Sequence, residues 1–282
     1  MQTIYICPKC KAPLALADRT AKCAAGHSYD RAKEGYFNLL LTNIGGTHGD
    51  NKEMIEARRT FLDAGYYAPL SDALNALILR VLPKGGRVLD GGAGEGYYTA
   101  RLAAALSAEE RESEIYSFDI SKDAVRRLAK RRADLHPAVA GVYDMPVASE
   151  SVDVMLNLFA PFAGAEFLRV LKKDGYLCMA VPEREHLFGL KEKVYENPYY
   201  NEVSEEIPEG FSLVESIEIK EVIRITDPLH IRALFAMTPY AYRTDKEGRE
   251  AVLALDSLET PIHFRLFLYR KNDINKQKNG EN

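Results

Sequence analysis

Only four cysteines occur in 282 residues, and three of them fall within the first 23. Four cysteines could form a two-disulfide framework in a short secreted chain, but their crowding at the start of a long one makes metal binding the better reading. No run of about 18 apolar residues occurs, which excludes a membrane-spanning helix. The first residues, Met1 to Lys9, lack the basic start and apolar stretch of a secretory signal, so a cytoplasmic protein is expected. A basic excess is missing too: 37 Lys and Arg against 41 Asp and Glu leave a net charge of −4. Any contact with nucleic acid must therefore come from a local patch. What remains, 46% hydrophobic and 28% charged, is the composition of a folded globular chain. Against a prior of about 150 residues per domain, there is room for one large domain with a small appendage, or for two modest ones.

Cys7-Pro8-Lys9-Cys10, twelve intervening residues and Cys23-Ala24-Ala25-Gly26-His27 set two close-spaced ligand pairs on facing turns. Tetrahedral zinc is bound this way: each short pair wraps one side of the ion, and four protein ligands leave no open position. Cys7, Cys10, Cys23 and His27 are the expected ligands of a structural zinc. A segment of about 35 residues is too small to fold on apolar burial alone, so metal binding supplies much of its stability. The alternative, a Cys7/Cys10 redox pair, lacks the strand-to-helix turn such motifs occupy. Cys178, in a distant apolar run, reads as an inert core thiol. Lys9, Lys11, Arg19, Lys22, Arg31 and Lys33 outnumber three acids in the first 36 residues, with Tyr5, Tyr29, Tyr36 and Phe37 among them. That mixture suits looped RNA, through phosphate contacts and stacking, and equally suits a merely solvated module.

Residues 43–50, rich in glycine, read as a flexible connector. Apolar spacing predicts helices over 52–64 and 69–82. From residue 84 the pattern alternates: strands over 87–90, 114–119, 138–142, 152–159 and 176–181, helices over 95–106, 122–133 and 164–171. This alternation predicts an α/β fold with a doubly wound, mostly parallel sheet. Late strands over 213–225 and 261–269 predict an antiparallel pair, the second placing Ile262, Phe264, Leu266 and Leu268 on one face. The polar residues 271–282 predict a disordered tail.

Val88-Leu89-Asp90-Gly91-Gly92-Ala93-Gly94-Glu95-Gly96 falls at the first strand-to-helix turn, where a ligand can approach backbone amides at the carboxyl edge of the sheet. A dinucleotide fingerprint beginning at Gly92 needs a small residue at position 97, and Tyr97 stands there. An acid closing the strand, then Gly-x-Gly, then a second acid ending the next strand (Asp119) instead resembles the S-adenosylmethionine loop of class I methyltransferases. The resemblance implies that Asp90 lies near the methionine amino group and that Gly92 and Gly94 let the cofactor lie across the strand ends. Asp119 would accept hydrogen bonds from the ribose hydroxyls. Val139-Ala140-Gly141 offers no acid to the adenine amino group; Asp144 or a backbone group would serve instead.

Larger blocks extend the likeness. The zinc quartet with Asp30-Arg31-Ala32-Lys33-Glu34-Gly35-Tyr36, then Glu56-Ala57-Arg58-Arg59-Thr60-Phe61-Leu62-Asp63-Ala64-Gly65-Tyr66-Tyr67, then Gly94-Glu95-Gly96-Tyr97-Tyr98-Thr99, resemble the bacterial 23S rRNA (guanine-N1) methyltransferase family. Ala160-Pro161, His186-Leu187 with Leu190-Lys191, and Met237-Thr238-Pro239-Tyr240-Ala241-Tyr242-Arg243 carry it through most of the chain. The resemblance implies a class I methyltransferase fold preceded by a small zinc-binding domain. It implies methyl transfer from S-adenosylmethionine to N1 of a guanine in a hairpin loop of 23S rRNA, by a homodimer whose zinc modules help grip the RNA. Cofactor contacts carried over by position are Tyr67, Gly94, Glu95 and His186. The implied organisation is a zinc-binding RNA-recognition module over 1–36, connector and helices over 37–83, the methyltransferase domain over 84–270 and the tail.

Guanine N1 carries a proton and lies on the pairing edge, so the base must be unpaired and the proton removed. No general base is identifiable from the sequence. Asn157 could orient the base edge or cap the core, and Phe159, Phe162, Tyr97 and Tyr98 could stack on the base or simply pack. Arg58 and Arg59 suit phosphate contacts or helix-surface ion pairs. The run Arg126, Arg127, Lys130, Arg131, Arg132 reads first as a solvated helix face. Two other functions share these features: a small-metabolite methyltransferase, and a non-catalytic zinc-dependent RNA-binding protein.

Overall fold

The computed structural model describes residues 2–41, 51–204 and 206–273; the expected connector over 43–50 and residues 274–282 of the expected tail lie outside them. Four short strands, β1 (Gln2–Ile6), β2 (Pro13–Ala17), β3 (Thr20–Lys22) and β4 (Ser28–Asp30), form an antiparallel sheet in that order. The next strand, β5 (Phe37–Asn38), leaves this small sheet and joins the edge of a much larger one.

After it come helices α1 (Lys52–Asp63) and α2 (Ala68–Val81), then the alternating elements. These are β6 (Arg87–Gly91), α3 (Tyr97–Ala108), β7 (Glu114–Asp119), α4 (Lys122–Arg131), β8 (His136–Val139), β9 (Val152–Leu158), α5 (Gly164–Val170), β10 (Leu171–Pro182) and α6 (Phe188–Val194). The chain closes with β11 (Phe211–Ile225), α7 (Pro228–Ala236), α8 (Tyr240–Arg243), α9 (Lys246–Leu253) and β12 (Leu258–Lys271). The large sheet runs β11-β12-β10-β9-β6-β7-β8-β5, with β12 antiparallel to both neighbours and the pairs from β10 to β5 parallel. This is the expected class I methyltransferase architecture, with β5 as an added edge. Strand order reverses between β6 and β9, and ligands of open α/β sheets bind outside the strand ends at such a point.

Central parallel strands must be covered on both faces, and the sequence supplies the apolar runs to do so. One face buries Phe61, Leu70, Leu74, Leu102, Val154 and Leu266 together; the other buries Leu89, Tyr116, Phe118, Met155, Phe167 and Leu177. Ile262, Phe264, Leu266 and Leu268 are all buried, as their alternation predicts. Ile4 and Tyr5 from the small sheet belong to the second of these cores. The Tyr5 hydroxyl donates to the His136 carbonyl at 2.6 Å, its ring meets Tyr116 edge-on, and Ile6 N donates to Pro146 O at 2.9 Å. This docking also explains one departure from the expected strands. β8 stops at Val139 rather than running to 142, and a 3-10 turn over Val142–Asp144 carries the chain across to meet β1.

α7, α8 and α9 fill the connection between β11 and β12 and were not expected. Helix α6 packs on β12, and Gly189 makes the approach possible: a Cβ there would lie 2.2 Å from the Glu259 carbonyl oxygen. That atom is backbone and cannot rotate away. Gly189→Ala is therefore expected to cost about 1–3 kcal/mol. A thermal melt of the variant reads this as a drop of several degrees; an unchanged melting temperature would contradict the packing.

Candidate cofactor and metal sites

The ligand atoms of Cys7, Cys10, Cys23 and His27 all lie within 4.8 Å of one another. The Cys10 and Cys23 sulfurs are 3.7 Å apart, and those of Cys7 and Cys23 lie 3.5 and 3.4 Å from His27 Nδ1. With Zn–S about 2.3 Å and Zn–N about 2.05 Å, a tetrahedron has S···S edges of about 3.8 Å and S···N edges of about 3.6 Å. The four side chains fit that ion. Tight turns set the spacing: Lys11 N donates to Cys7 O, and Gly26, at φ +84°, to Cys23 O. Burial opposes ionisation of Cys7, but the Tyr29 hydroxyl at 3.1 Å and backbone hydrogen bonds of Cys10 and Lys9 bring its thiol down to about 6.

The second site forms where β6 ends. Gly92, Gly94 and Gly96 all have left-handed backbones, and they do different things. A Cβ on Gly92 would meet Ala160 Cβ at 2.5 Å and one on Gly96 would meet Leu128 Cγ at 2.7 Å, so packing requires both glycines. A Cβ on Gly94 meets nothing within 4 Å. The missing side chain there opens space above the loop, which is the fit a ligand lying across the strand ends needs. The Gly94 amide donates to Asp119 Oδ2 at 2.9 Å and Ser121 N to Oδ1 at 2.8 Å. These two backbone donors, one to each oxygen, orient the Asp119 carboxylate.

Asp90 is 2% exposed, and Thr99 Oγ1 donates to its Oδ2 at 2.6 Å. Burial pushes its carboxyl up to about 6, the Thr99 bond opposes this, and the nearby Asp119 charge adds to it. Glu95, also 2% exposed, is turned toward α4: Arg131 Nε donates to its Oε2 at 2.7 Å and to its carbonyl at 3.0 Å. The same guanidinium reaches Asp63 Oδ1 at 2.9 Å, tying the end of α1 to the glycine loop.

Tyr67 and His186, 119 residues apart, meet at 3.2 Å between Oη and Nε2. His263 N donates to His186 Nδ1 at 3.2 Å, so the ring proton sits on Nε2 and His186 donates to Tyr67. Burial, then the Lys191 charge, hold His186 down at about 3, which keeps it neutral. Phe264 packs against both rings, at 4.9 Å from Tyr67 and 4.3 Å from His186, and continues through Phe159 at 5.5 Å to Tyr98.

Two families match the chain: residues 5–43 match the zinc ribbon described as "RlmA, N-terminal", and residues 82–227 match a methyltransferase domain. A Streptomyces fradiae 23S rRNA (guanine(748)-N(1))-methyltransferase is 32% identical over 250 residues, covering 86% of each chain. A Micromonospora griseorubida protein bearing the name 23S rRNA (guanine-N(1)-)-methyltransferase is 40% identical over 67% of this chain and 68% of its own. A third relative, from Bacillus subtilis, is 30% identical across 95% of this chain and 98% of its own. The chain belongs to the 23S rRNA (guanine-N1) methyltransferase family. Its members' shared methyltransferase domain makes S-adenosylmethionine the cofactor and the amino-terminal ribbon a zinc site.

Asp90, Gly92, Gly94, Glu95 and Asp119 share one sheet edge, while Tyr67 and His186 form a separate pair joined to it by aromatic rings. Sequence reasoning missed Thr99, Arg131, His263 and Phe264, which orient the expected residues. Nothing near them in sequence marks these partners. The basic run is a partly solvated, ion-paired face: Arg126 and Lys130 are exposed, while Arg126 pairs with Glu34, Arg127 with Glu56, Arg131 with Asp63 and Glu95, and Arg132 with Asp134. Asn157 donates to Pro161 O at 3.1 Å, and Arg59 pairs with Asp63 along the helix. Among the described residues, no helix is long and apolar enough to cross a membrane.

Asp90 carries a pH signature. Below about pH 4 both folded and unfolded chains hold its proton; between pH 3.8 and about 6 only the unfolded chain ionises, and folding stability falls. Above that, the folded chain carries a buried charge at a cost on the order of 3 kcal/mol. Asp90→Asn is expected to stabilise the ligand-free protein by about that amount at neutral pH, with the gain vanishing toward pH 4 in urea unfolding. A gain independent of pH, or none, would contradict the assignment.

Proposed function

We propose that this chain transfers a methyl group from S-adenosylmethionine to N1 of a guanine in a hairpin loop of 23S rRNA. The observation that carries the reading is the open space over Gly94, flanked by a desolvated Asp90 and an oriented Asp119, in a chain of this family. Bound there, S-adenosylmethionine supplies a methyl group already activated on a sulfonium.

The chain's own residues then have to bind, orient and exclude water. Asp90 receives the ammonium of the cofactor's amino-acid part, and Asp119 accepts from the ribose hydroxyls. Gly94 and Glu95 line the crevice through backbone, because the Glu95 carboxylate is engaged by Arg131. Tyr67 and His186 contribute as the paired contacts the family resemblance implies, with His186 fixing the Tyr67 hydroxyl. Cys7, Cys10, Cys23 and His27 hold the zinc that braces the small sheet.

Phe159, just past the end of β9, is presented to an extruded base. It follows β9 with a left-handed φ of +58°, the residue is 41% exposed, and the Asn157 amide holds the turn that begins there. A flipped guanine stacked there would bring its pairing edge to the strand ends, where the N1 proton must leave before methyl transfer. Asn157 thus shapes the turn instead of reading the base.

The test is to incubate the purified chain with methyl-labelled S-adenosylmethionine and unmodified large-subunit rRNA, alongside a metabolite extract, and to identify the labelled nucleoside after digestion. Label in 1-methylguanosine is expected. Label only in the extract would replace rRNA by a small-molecule acceptor, and no label despite cofactor binding would leave a non-catalytic RNA binder.

A further inference from the structure

Tyr98 is the second residue of α3, the helix that opens from the glycine loop. Its hydroxyl oxygen is closed off from solvent and makes no hydrogen bond. Buried hydroxyls in folded proteins nearly always have a partner, so one without calls for a bound group that completes it. The α3 amino terminus also lacks a side-chain cap: Gly96 stands at the N-cap position in a left-handed conformation. Its amides and the positive end of its dipole face the same end of the helix.

A second phenol lies nearby. Because His186 donates to the Tyr67 oxygen, the phenol proton of Tyr67 points elsewhere. Tyr98, Phe159, Phe264 and Tyr67 form one chain of ring contacts, and the two phenols lie near enough to act on one another electrostatically. Burial holds both phenols protonated by raising their pKa, and the positive charge of Arg58 opposes this at each, so a guanidinium shares their neighbourhood. Donors and positive potential thus gather near the first turn of α3, whose Thr99, the residue after Tyr98, holds the acid Asp90. An amino-acid zwitterion needs that polarity: its cation toward Asp90, its anion toward the donors.

We propose that Tyr98, with Tyr67 and the α3 amino terminus, receives the carboxylate of the cofactor's amino-acid moiety. This rests on the cofactor reading above. Tyr98 is then the residue through which the enzyme distinguishes a full amino-acid tail from a simple amine.

The test is calorimetric binding to the full chain, using S-adenosylhomocysteine and its decarboxylated analogue, which keeps the ammonium. Tyr98→Phe is expected to weaken S-adenosylhomocysteine about tenfold, as loss of one hydrogen bond to a charged group does, and to leave the analogue within about twofold. The variant's melting temperature without ligand should not fall, since only an unpartnered hydroxyl is removed. Equal weakening of both ligands would make Tyr98 merely structural and overturn the proposal. Unchanged S-adenosylhomocysteine binding with slower methylation of RNA would move the hydroxyl to the guanine and overturn it too. If the unmodified protein bound neither ligand, the cofactor reading itself would fail.

Discussion

A carboxylate that cannot reach water stands at the end of the central strand, and the surrounding structure is arranged around it. Asp90 closes β6, between β7 and β9, where both faces of the sheet are covered. Thr99 supplies one hydrogen bond, while burial and the nearby Asp119 charge both oppose its ionisation. Left so, the ionised group opposes folding. The covered core on both faces outweighs it, and what is retained is a strong local preference for a cation. The glycine loop beside it supplies the space that lets one arrive.

The same economy of contacts explains why the zinc ribbon is not a detachable appendage. Ile4 and Tyr5 share a core with Leu89 and Met155, β5 extends the main sheet, and Arg126 joins Glu34 to α4. Metal binding therefore stabilises a surface that the catalytic sheet also leans on. Deleting the first 36 residues would strip one face of that sheet, so it would not separate RNA recognition from folding. Point changes on the ribbon's exposed basic side chains would.

What the sequence made legible was local. Cysteine spacing, the strand-glycine-helix alternation and the acid-Gly-x-Gly turn each lie within a few residues, and the strands and ligand cluster follow them. Long-range partners were not legible. Arg131 and Glu95 are 36 residues apart, and Tyr67 and His186 are 119 apart; composition and periodicity say nothing about such pairs. Family resemblance pointed to Tyr67 and His186 without revealing that one histidine fixes the other residue's hydroxyl. The basic run on α4 is partly solvated as its sequence suggests, but its distant acidic partners come from the ribbon, α1 and the glycine loop, and only the fold brings them together.

The central claim is that Asp90 is held partly protonated until the ammonium of the cofactor settles beside it. Proton release on binding measures this directly, by titrating S-adenosylhomocysteine calorimetrically in buffers of differing ionisation enthalpy. Because burial pushes Asp90 up to about 6, binding at about pH 6 should release close to half a proton from that group, and the release should fade by about pH 8. Binding with no proton release near pH 6 would contradict the account.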